Sequence, residues 1–202
     1  MEINMATDFK TSETRINLMR AFAGESQARN RYTFAASQAK EQKLHVVEAV
    51  FKYTAGQEKE HAEIFYNFLK ESAGENINIA GGYPVDINES MTEILRYAQR
   101  NEFEEHDSVY SSFATVAQNE GFTQIAVAFQ NIAKIEKIHG ERFKKIADLL
   151  EQNKLFCCEG ECRWVCLNCG HIHVGREVPE HCPVCSHAKG YFIREEAAPY
   201  SF

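Results

Sequence analysis

Apolar residues recur at helical spacing along most of this chain. Phe51, Ala55, Ala62, Phe65 and Leu69 form one stripe, and Phe129, Ile132, Ile135 and Phe143 form another. The pattern predicts four long helices, over residues 12–40, 44–72, 90–119 and 123–152. These stretches are rich in Ala, Glu, Gln, Lys and Leu, hold no proline, and contain only Gly24, Gly56 and Gly140 as glycines. A helix of about 30 residues is about 45 Å long. Short breaks at Lys43 and Gly121 make neighbouring helices antiparallel. The stretch Ala73–Asn88, with Gly74, Gly81, Gly82 and Pro84, separates two helical hairpins and is long enough to cross the end of a bundle. Near Glu151–Phe156 the pattern changes. The expectation is a mainly α protein in two parts: a four-helix bundle, residues 1–153, and a small β-rich metal-binding domain, residues 154–202.

The hairpins repeat one another. Moving the first along by 78 positions (Glu58 to Glu136) superposes Tyr32 on Tyr110, Ala36 on Ala114, Ala39 on Ala117, Phe51 on Phe129 and Ala55 on Ala133. It also superposes Lys59 on Lys137, His61 on His139 and Phe65 on Phe143. A shared core explains the Ala and Phe matches but not the recurrence of Glu with His. Glu58 and His61 are three apart, as are Glu136 and His139, so each pair lies on one helix face. The opening helices of the hairpins add Glu25 and the pair Glu102 and Glu105. One Glu from each of two helices, with Glu-x-x-His from each of the other two, is the pattern of di-iron and di-manganese carboxylate bundles. Buried carboxylates without partners are strongly destabilising, so five in a bundle interior call for cations. Glu102 and Glu105 share a face: either both are ligands or one supports the other, while Glu104 and His106 belong to the surface. Tyr32 lies two turns beyond Glu25 on the same face, with Tyr110 as its counterpart. They are core aromatics, or their hydroxyls hydrogen-bond the carboxylates.

All seven cysteines fall between Cys157 and Cys185. A cysteine-free body with a cysteine-rich end suggests a reducing compartment and a metal site rather than a disulfide scaffold. Cys166-x-x-Cys169 and Cys182-x-x-Cys185, with Gly170 to His181 between them, make a four-thiolate tetrahedral site for zinc or iron. The two-metal site upstream favours iron, since a redox centre needs an electron supply. His171, His173, His181 and His187 are not needed as ligands. Cys157, Cys158 and Cys162 remain; they are read as reduced thiols, with a redox-active pair of Cys158 and Cys162 as the alternative.

Composition narrows the possibilities. Lys and Arg number 22 against 29 Asp and Glu, a net charge of −7, which argues against nucleic acid as a partner. No apolar run approaches the roughly 18 residues of a membrane span. Met1–Lys10 has no apolar signal core, so a cytoplasmic location is expected.

With both sites placed, the chain resembles the rubrerythrins over nearly its whole length. The resemblance rests on Gly24-Glu25 with Tyr32, the two Glu-x-x-His pairs, Glu102 with Glu105, Tyr110, and a rubredoxin-like end following the bundle. It implies a ferritin-like bundle whose di-iron centre reduces hydrogen peroxide to water in oxidative stress defence. The implied iron ligands are Glu25, Glu58, His61, Glu102, Glu105, Glu136 and His139, with His61 exchanged for Glu105 on oxidation. A single iron on Cys166, Cys169, Cys182 and Cys185 would pass electrons from a separate NAD(P)H-linked reductase or a rubredoxin. A homodimer or higher homo-oligomer is implied, in which one subunit's rubredoxin-like module serves its partner. The Cys157, Cys158 and Cys162 cluster departs from the family pattern. Ferritin-like ferroxidase action or iron storage is the alternative; a zinc-ribbon interaction module and an oxygen-activating hydroxylase are more distant ones.

Overall fold

A computed structural model describes residues 7–198. Residues 1–6 and 199–202, the extremities of the expected body and tail, lie outside the described residues. The helices are α1 (Glu13–Glu41), α2 (His45–Phe68), α3 (Met91–Glu104), α4 (Tyr110–Asn119) and α5 (Thr123–Glu151). Helix α2 stops short of the expected residue 72, and its last turn tightens into a 3-10 turn at Lys70–Ser72. No helix among the described residues is long and apolar enough to cross a membrane.

Local chemistry sets the helix ends. Ser12 accepts a hydrogen bond from the Arg15 amide at the start of α1, and Ser90 accepts from the Glu93 amide at the start of α3. Glu120, at the end of α4, accepts from the amides of Glu13 (3.0 Å) and Thr14 (2.8 Å). One hairpin thus caps the other, placing a carboxylate at the positive end of α1. Helices α1, α4 and α5 each end in a left-handed residue: Lys43 (φ 59°), Gly121 (φ 90°) and Asn153 (φ 53°). In each case the next amide reaches back to the carbonyl five residues earlier: Leu44 to Ala39, Phe122 to Ala117 and Lys154 to Leu149. Lys43 and Gly121 are repeat equivalents, so both hairpins turn in the same way.

The repeat carries through to the core. Tyr32, Phe51 and Phe143 pack together with ring centroids 5.0–5.8 Å apart, and Tyr110, Phe129 and Phe65 form the matching triad at 5.0–5.9 Å. Each triad anchors one apolar cluster, and the clusters fill opposite halves of the bundle.

One irregularity breaks the symmetry. Between α3 and α4 the helix continues through a π turn, Glu105–Val109, in which the Tyr110 amide donates to the Glu105 carbonyl. The register explains it: Tyr32 to Tyr110 is 110 − 32 = 78 positions, whereas Glu25 to Glu102 is 102 − 25 = 77. The second hairpin carries one extra residue between its carboxylate and its tyrosine, and a π turn absorbs one residue while keeping both side chains inward.

The tail is a three-stranded antiparallel sheet in the order β2-β1-β3, with β1 Cys157–Cys166, β2 Ile172–Glu177 and β3 Phe192–Arg194. Its core holds Trp164, Val178 and Phe192. The module rests on the turn between α1 and α2. Tyr191 stacks on His45 at a centroid distance of 4.0 Å, and a Cβ on Gly190 would fall 1.9 Å from the Lys43 carbonyl oxygen. Only glycine allows that approach. The expectation of three reduced thiols needs correcting: Cys158 and Cys162 are joined by a disulfide, leaving Cys157 free. The register of β1 against β2 slips between Cys157 and Cys162, and this bulge brings the two Cα atoms to 6.6 Å, within bonding range.

Candidate metal centres

Six of the seven predicted bundle residues converge between the two aromatic triads. They form two overlapping groups: Glu25, Glu58, His61 and Glu136, and Glu58, Glu102, Glu136 and His139. All are buried; Glu25, Glu136 and His139 have no exposed surface. Glu58 and Glu136 belong to both groups, as bridging carboxylates would. The arrangement follows the repeat. His61 Nδ1 lies 3.2 Å from Glu58, 2.9 Å from Glu136 and 3.9 Å from Glu25. His139 Nδ1 lies 2.8 Å from Glu136, 3.0 Å from Glu58 and 3.6 Å from Glu102. All four helix directions contribute, so one chain completes the cluster.

The donor set fits a pair of cations. Two donors about 2.1 Å from one metal, at right angles, stand about 3.0 Å apart. Inside the cluster, Glu25 Oε2, Glu58 Oε1, Glu102 Oε2, both Glu136 oxygens and His139 Nδ1 are buried without a hydrogen-bond partner. Orphaned buried oxygens cost several kcal/mol each unless a ligand takes them. The protein alone cannot satisfy this charge. Burial and the charges of Glu136 and Glu58 push Glu25 well above the carboxylate range, and burial with Glu58 does the same to Glu102. Burial would raise Glu58 too, but His139 and His61 bring it down to about 2. Burial would lower His61 and His139; the facing carboxylates instead lift them to about 9 and about 12. Four carboxylates and two imidazoles are therefore sharing protons where cations would sit.

Both tyrosines do more than fill the core. The Tyr32 hydroxyl donates to Glu102 Oε1 and the Tyr110 hydroxyl donates to Glu25 Oε1. Burial and these carboxylates raise both phenols well above their usual range, so they remain donors. Tyr32 holds Glu102 Oε1 and leaves Oε2 toward His139, whereas Tyr110 holds Glu25 Oε1, the oxygen 3.9 Å from His61 Nδ1.

Glu105 stands apart. It opens the π turn, contributes to neither group, and lines a cavity of about 500 Å³ with Gly24, Tyr83 and Tyr110 beneath the crossover segment. It remains close: desolvation and the charges of Glu102, Glu136 and Glu58 raise its carboxyl well above the ordinary range. Glu104 is exposed, and His106 pairs with Asp107 on the outside, as expected of surface residues.

Sequence reading missed three residues that position His139. Its Nε2 lies 3.1 Å from Gln57 Oε1, which also accepts from Arg142 Nη1 at 3.1 Å; Arg142 donates to Thr54 as well. This fixes the proton on Nε2 and turns the lone pair of Nδ1 to the centre. His61 has no comparable Nε2 partner among the described residues. The signal was available: Gln57 precedes Glu58, while its repeat equivalent is Ile135.

In the tail, two knuckles face each other. Cys166 Sγ is 3.8 Å from Cys185 Sγ, and Cys169 Sγ is 3.7 Å from Cys182 Sγ. Donors 2.3 Å from a tetrahedral metal are about 3.8 Å apart. After each knuckle the chain turns left-handed, at Gly170 (φ 77°) and Ser186 (φ 61°). Backbone N–H groups then point at sulfur: the His187 amide lowers Cys185 to about 6, while burial raises Cys166 against the opposing Cys169 and Asn168 amides. Such donors stabilise thiolates and tune a bound iron.

Comparison with known proteins agrees with this geometry. The family model described as Rubrerythrin matches residues 17–147, and that described as Rubrerythrin, rubredoxin-like domain matches residues 164–193. The chain is 43% identical to a rubrerythrin of Clostridium perfringens over 184 residues, covering 91% of this chain and 94% of that protein. It is 38% identical to a rubrerythrin of Nitratidesulfovibrio vulgaris over 183 residues, covering 91% and 94%. Among solved structures, fully reduced, all-ferrous nigerythrin superposes with a TM-score of 0.62 at 27% identity, covering 96% of this chain and 91% of that one. The bacterioferritin of Desulfovibrio desulfuricans superposes with a TM-score of 0.63 at 23% identity, covering 70% and 82%, and shares the fold. A ferritin-like bundle with a carboxylate-histidine cluster, followed by a rubredoxin-like four-cysteine module, places the chain in the rubrerythrin family of iron oxidoreductases.

Proposed function

We propose that this protein is a peroxidase, reducing hydrogen peroxide to water at a di-iron centre held by Glu25, Glu58, His61, Glu102, Glu136 and His139, with Glu105 as a seventh, exchangeable ligand. The observation that carries the proposal is the pair of buried, unsatisfied clusters sharing Glu58 and Glu136, in one chain with a four-cysteine module. When bound, two ferrous ions supply together the two electrons that cleaving the O–O bond takes, and an iron on Cys166, Cys169, Cys182 and Cys185 returns them singly.

The protein's own groups do the rest. Tyr32 and Tyr110 keep Glu102 and Glu25 oriented through hydrogen bonds formed before any substrate arrives. Gln57 and Arg142 hold His139 in one tautomer, whereas His61 is free of such an anchor. Glu105, which lines the cavity beside the cluster, is in this reading the carboxylate that replaces His61 and carries a proton toward a leaving oxygen.

The proposal extends to partners. The electron donor is a reductase linked to NAD(P)H, or a rubredoxin, in the cytoplasm. The working unit is a homodimer or higher homo-oligomer in which one subunit's module serves its partner's bundle. The alternative of iron storage does not use a tethered one-electron module. Anaerobic mixing of iron-loaded, fully reduced protein with hydrogen peroxide tests the proposal. One equivalent of peroxide should disappear per di-ferrous bundle, with bleached four-cysteine iron regaining its colour afterwards. Unchanged peroxide would refute it, and a 24-subunit shell by light scattering would favour storage.

A further inference from the structure

We propose that Cys158 and Cys162 form a second two-electron redox centre, cycling between dithiol and disulfide independently of the metals. The two sulfurs are bonded. Cys157, next in sequence, is excluded: it is unbonded, and its thiol donates to the Asn153 carbonyl at 3.2 Å.

A structural role does not account for the bond. It closes a loop of only Glu159, Gly160 and Glu161, and the strand is already paired to β2 just before the loop, at Cys157 with Glu177, and at its end, at Cys162 with Gly175. Both cysteines pack against the margin of the module's core, which is built on Trp164, Val178 and Phe192 and does not need the bond to close it. A bond that adds so little to the fold is free to open and close. The bridging loop is exposed while both cysteines are half-buried, so the bond lies at the surface margin of the module rather than inside its core. In the dithiol state the Gly160 carbonyl, 3.2 Å from Cys158 Sγ, is placed to accept its proton's hydrogen bond. Glu159 is paired with Lys154 at 2.8 Å, so the loop carries little net charge and a neutral reagent, such as a hydroperoxide, meets no electrostatic barrier there.

The chemistry balances with a hydroperoxide as oxidant. One cysteine, as thiolate, attacks the peroxide; an S–O bond forms, the O–O bond breaks, and the departing hydroxide takes the thiol's proton to leave as water. The other sulfur then displaces the remaining hydroxyl; the S–S bond forms and a second water leaves with the second thiol's proton. Two thiols and one hydrogen peroxide give one disulfide and two waters. A protein or small-molecule dithiol supplies two electrons and two protons for the return, through a mixed disulfide.

The test is peptide mass spectrometry on full-length, metal-loaded protein. Reduction with dithiothreitol under native conditions should make both cysteines alkylatable while the four-cysteine colour persists. One equivalent of hydrogen peroxide should then remove two hydrogens from the peptide spanning residues 155–163, leaving Cys157 alkylatable, and dithiothreitol should restore them. The same loss is expected in protein carrying zinc at every metal site. In either C158S or C162S, the remaining thiol should be trapped by dimedone as a sulfenic acid. The proposal falls if the folded disulfide resists dithiothreitol, if peroxide leaves both thiols alkylatable or takes them to sulfinic acid, if the loss requires iron, or if neither variant gives a dimedone adduct.

Discussion

Stripping the metals should make the bundle's stability fall as pH rises from about 6.5 to about 9. In the metal-free cluster, His61 faces Glu136 and Glu58, and its pKa is lifted from 6.5 to about 9. The sign follows directly. Below pH 6.5 the imidazole is charged in both folded and unfolded chains, and the ion pairs contribute in full. Between the two values only the folded chain holds the proton, so raising pH draws it off and erodes the contribution; above about 9 it is gone. Lifting this one imidazole from 6.5 to about 9 corresponds to about 3 kcal/mol; His139, lifted to about 12 by the same carboxylates, acts in the same direction across this range and beyond it, so the figure is a lower bound. The depression of Glu58 describes the same ion pair from its other side and is not added. Glu25 and Glu102, both pushed up by burial, act in the same direction, because rising pH forces negative charge into a buried site. For a chain of this size, about 3 kcal/mol is roughly 6–12 °C in Tm. Bound cations would replace the shared protons, so the loaded protein should show a nearly flat profile. Thermal unfolding of chelator-treated and iron-loaded protein across this range is the assay. A metal-free Tm that stays level or climbs with pH would show that the clustered carboxylates are not the groups in tension.

Other substitutions address other parts. Glu105→Ala should slow peroxide consumption at least tenfold while moving Tm little, because Glu105 is half-buried on a π turn and outside both ligand groups; turnover and Tm together decide it. Gly190→Ala places a Cβ 1.9 Å from the Lys43 carbonyl and should free the module from the α1–α2 turn, read as faster amide exchange at His45 and Tyr191 with the four-cysteine colour unchanged. Glu120→Ala removes the acceptor for the Glu13 and Thr14 amides and should cost about 1–2 kcal/mol of bundle stability by denaturant titration, as other N-cap losses do.

What the sequence made legible was whatever the helical period and the repeat encode. The four helices, the turns at Lys43 and Gly121, the facing Glu-x-x-His pairs and the cysteine knuckles are spacings, and spacings can be read without coordinates. Three features escaped for physical reasons. The π turn leaves no compositional mark; its trace is the slip from 77 to 78 positions between the carboxylate and tyrosine matches, easily passed over when only identities are aligned. Gln57, Thr54 and Arg142 act between helices, and no periodicity within one helix reveals a partner on another. The Cys158–Cys162 bond escaped in part, legible only as the alternative to three reduced thiols, because it depends on a bulge in β1, which a run of cysteines and glutamates does not announce.

The slip in the repeat carries a consequence for the site. A perfect duplication would make two equivalent metal positions, each with one histidine, one terminal carboxylate and the shared Glu58 and Glu136. The distances around His61 and His139 show how closely the chain keeps that symmetry. The differences are confined to two places. On one side, Gln57 and Arg142 pin His139, using a glutamine where the other hairpin has Ile135. On the other, the extra residue of the π turn brings a further carboxylate, Glu105, against the cavity it shares with Gly24 and Tyr110, near Glu25 of the group that contains His61. An anchored histidine resists exchange, whereas an unanchored one beside a spare carboxylate can give way to it. In the proposed reaction, the symmetry would supply two matching donor groups, and the departures from it would make His139 a fixed ligand and His61 a replaceable one. A two-electron reaction at a pair of ions needs that division: one position stays put while the other changes its ligand as charge accumulates.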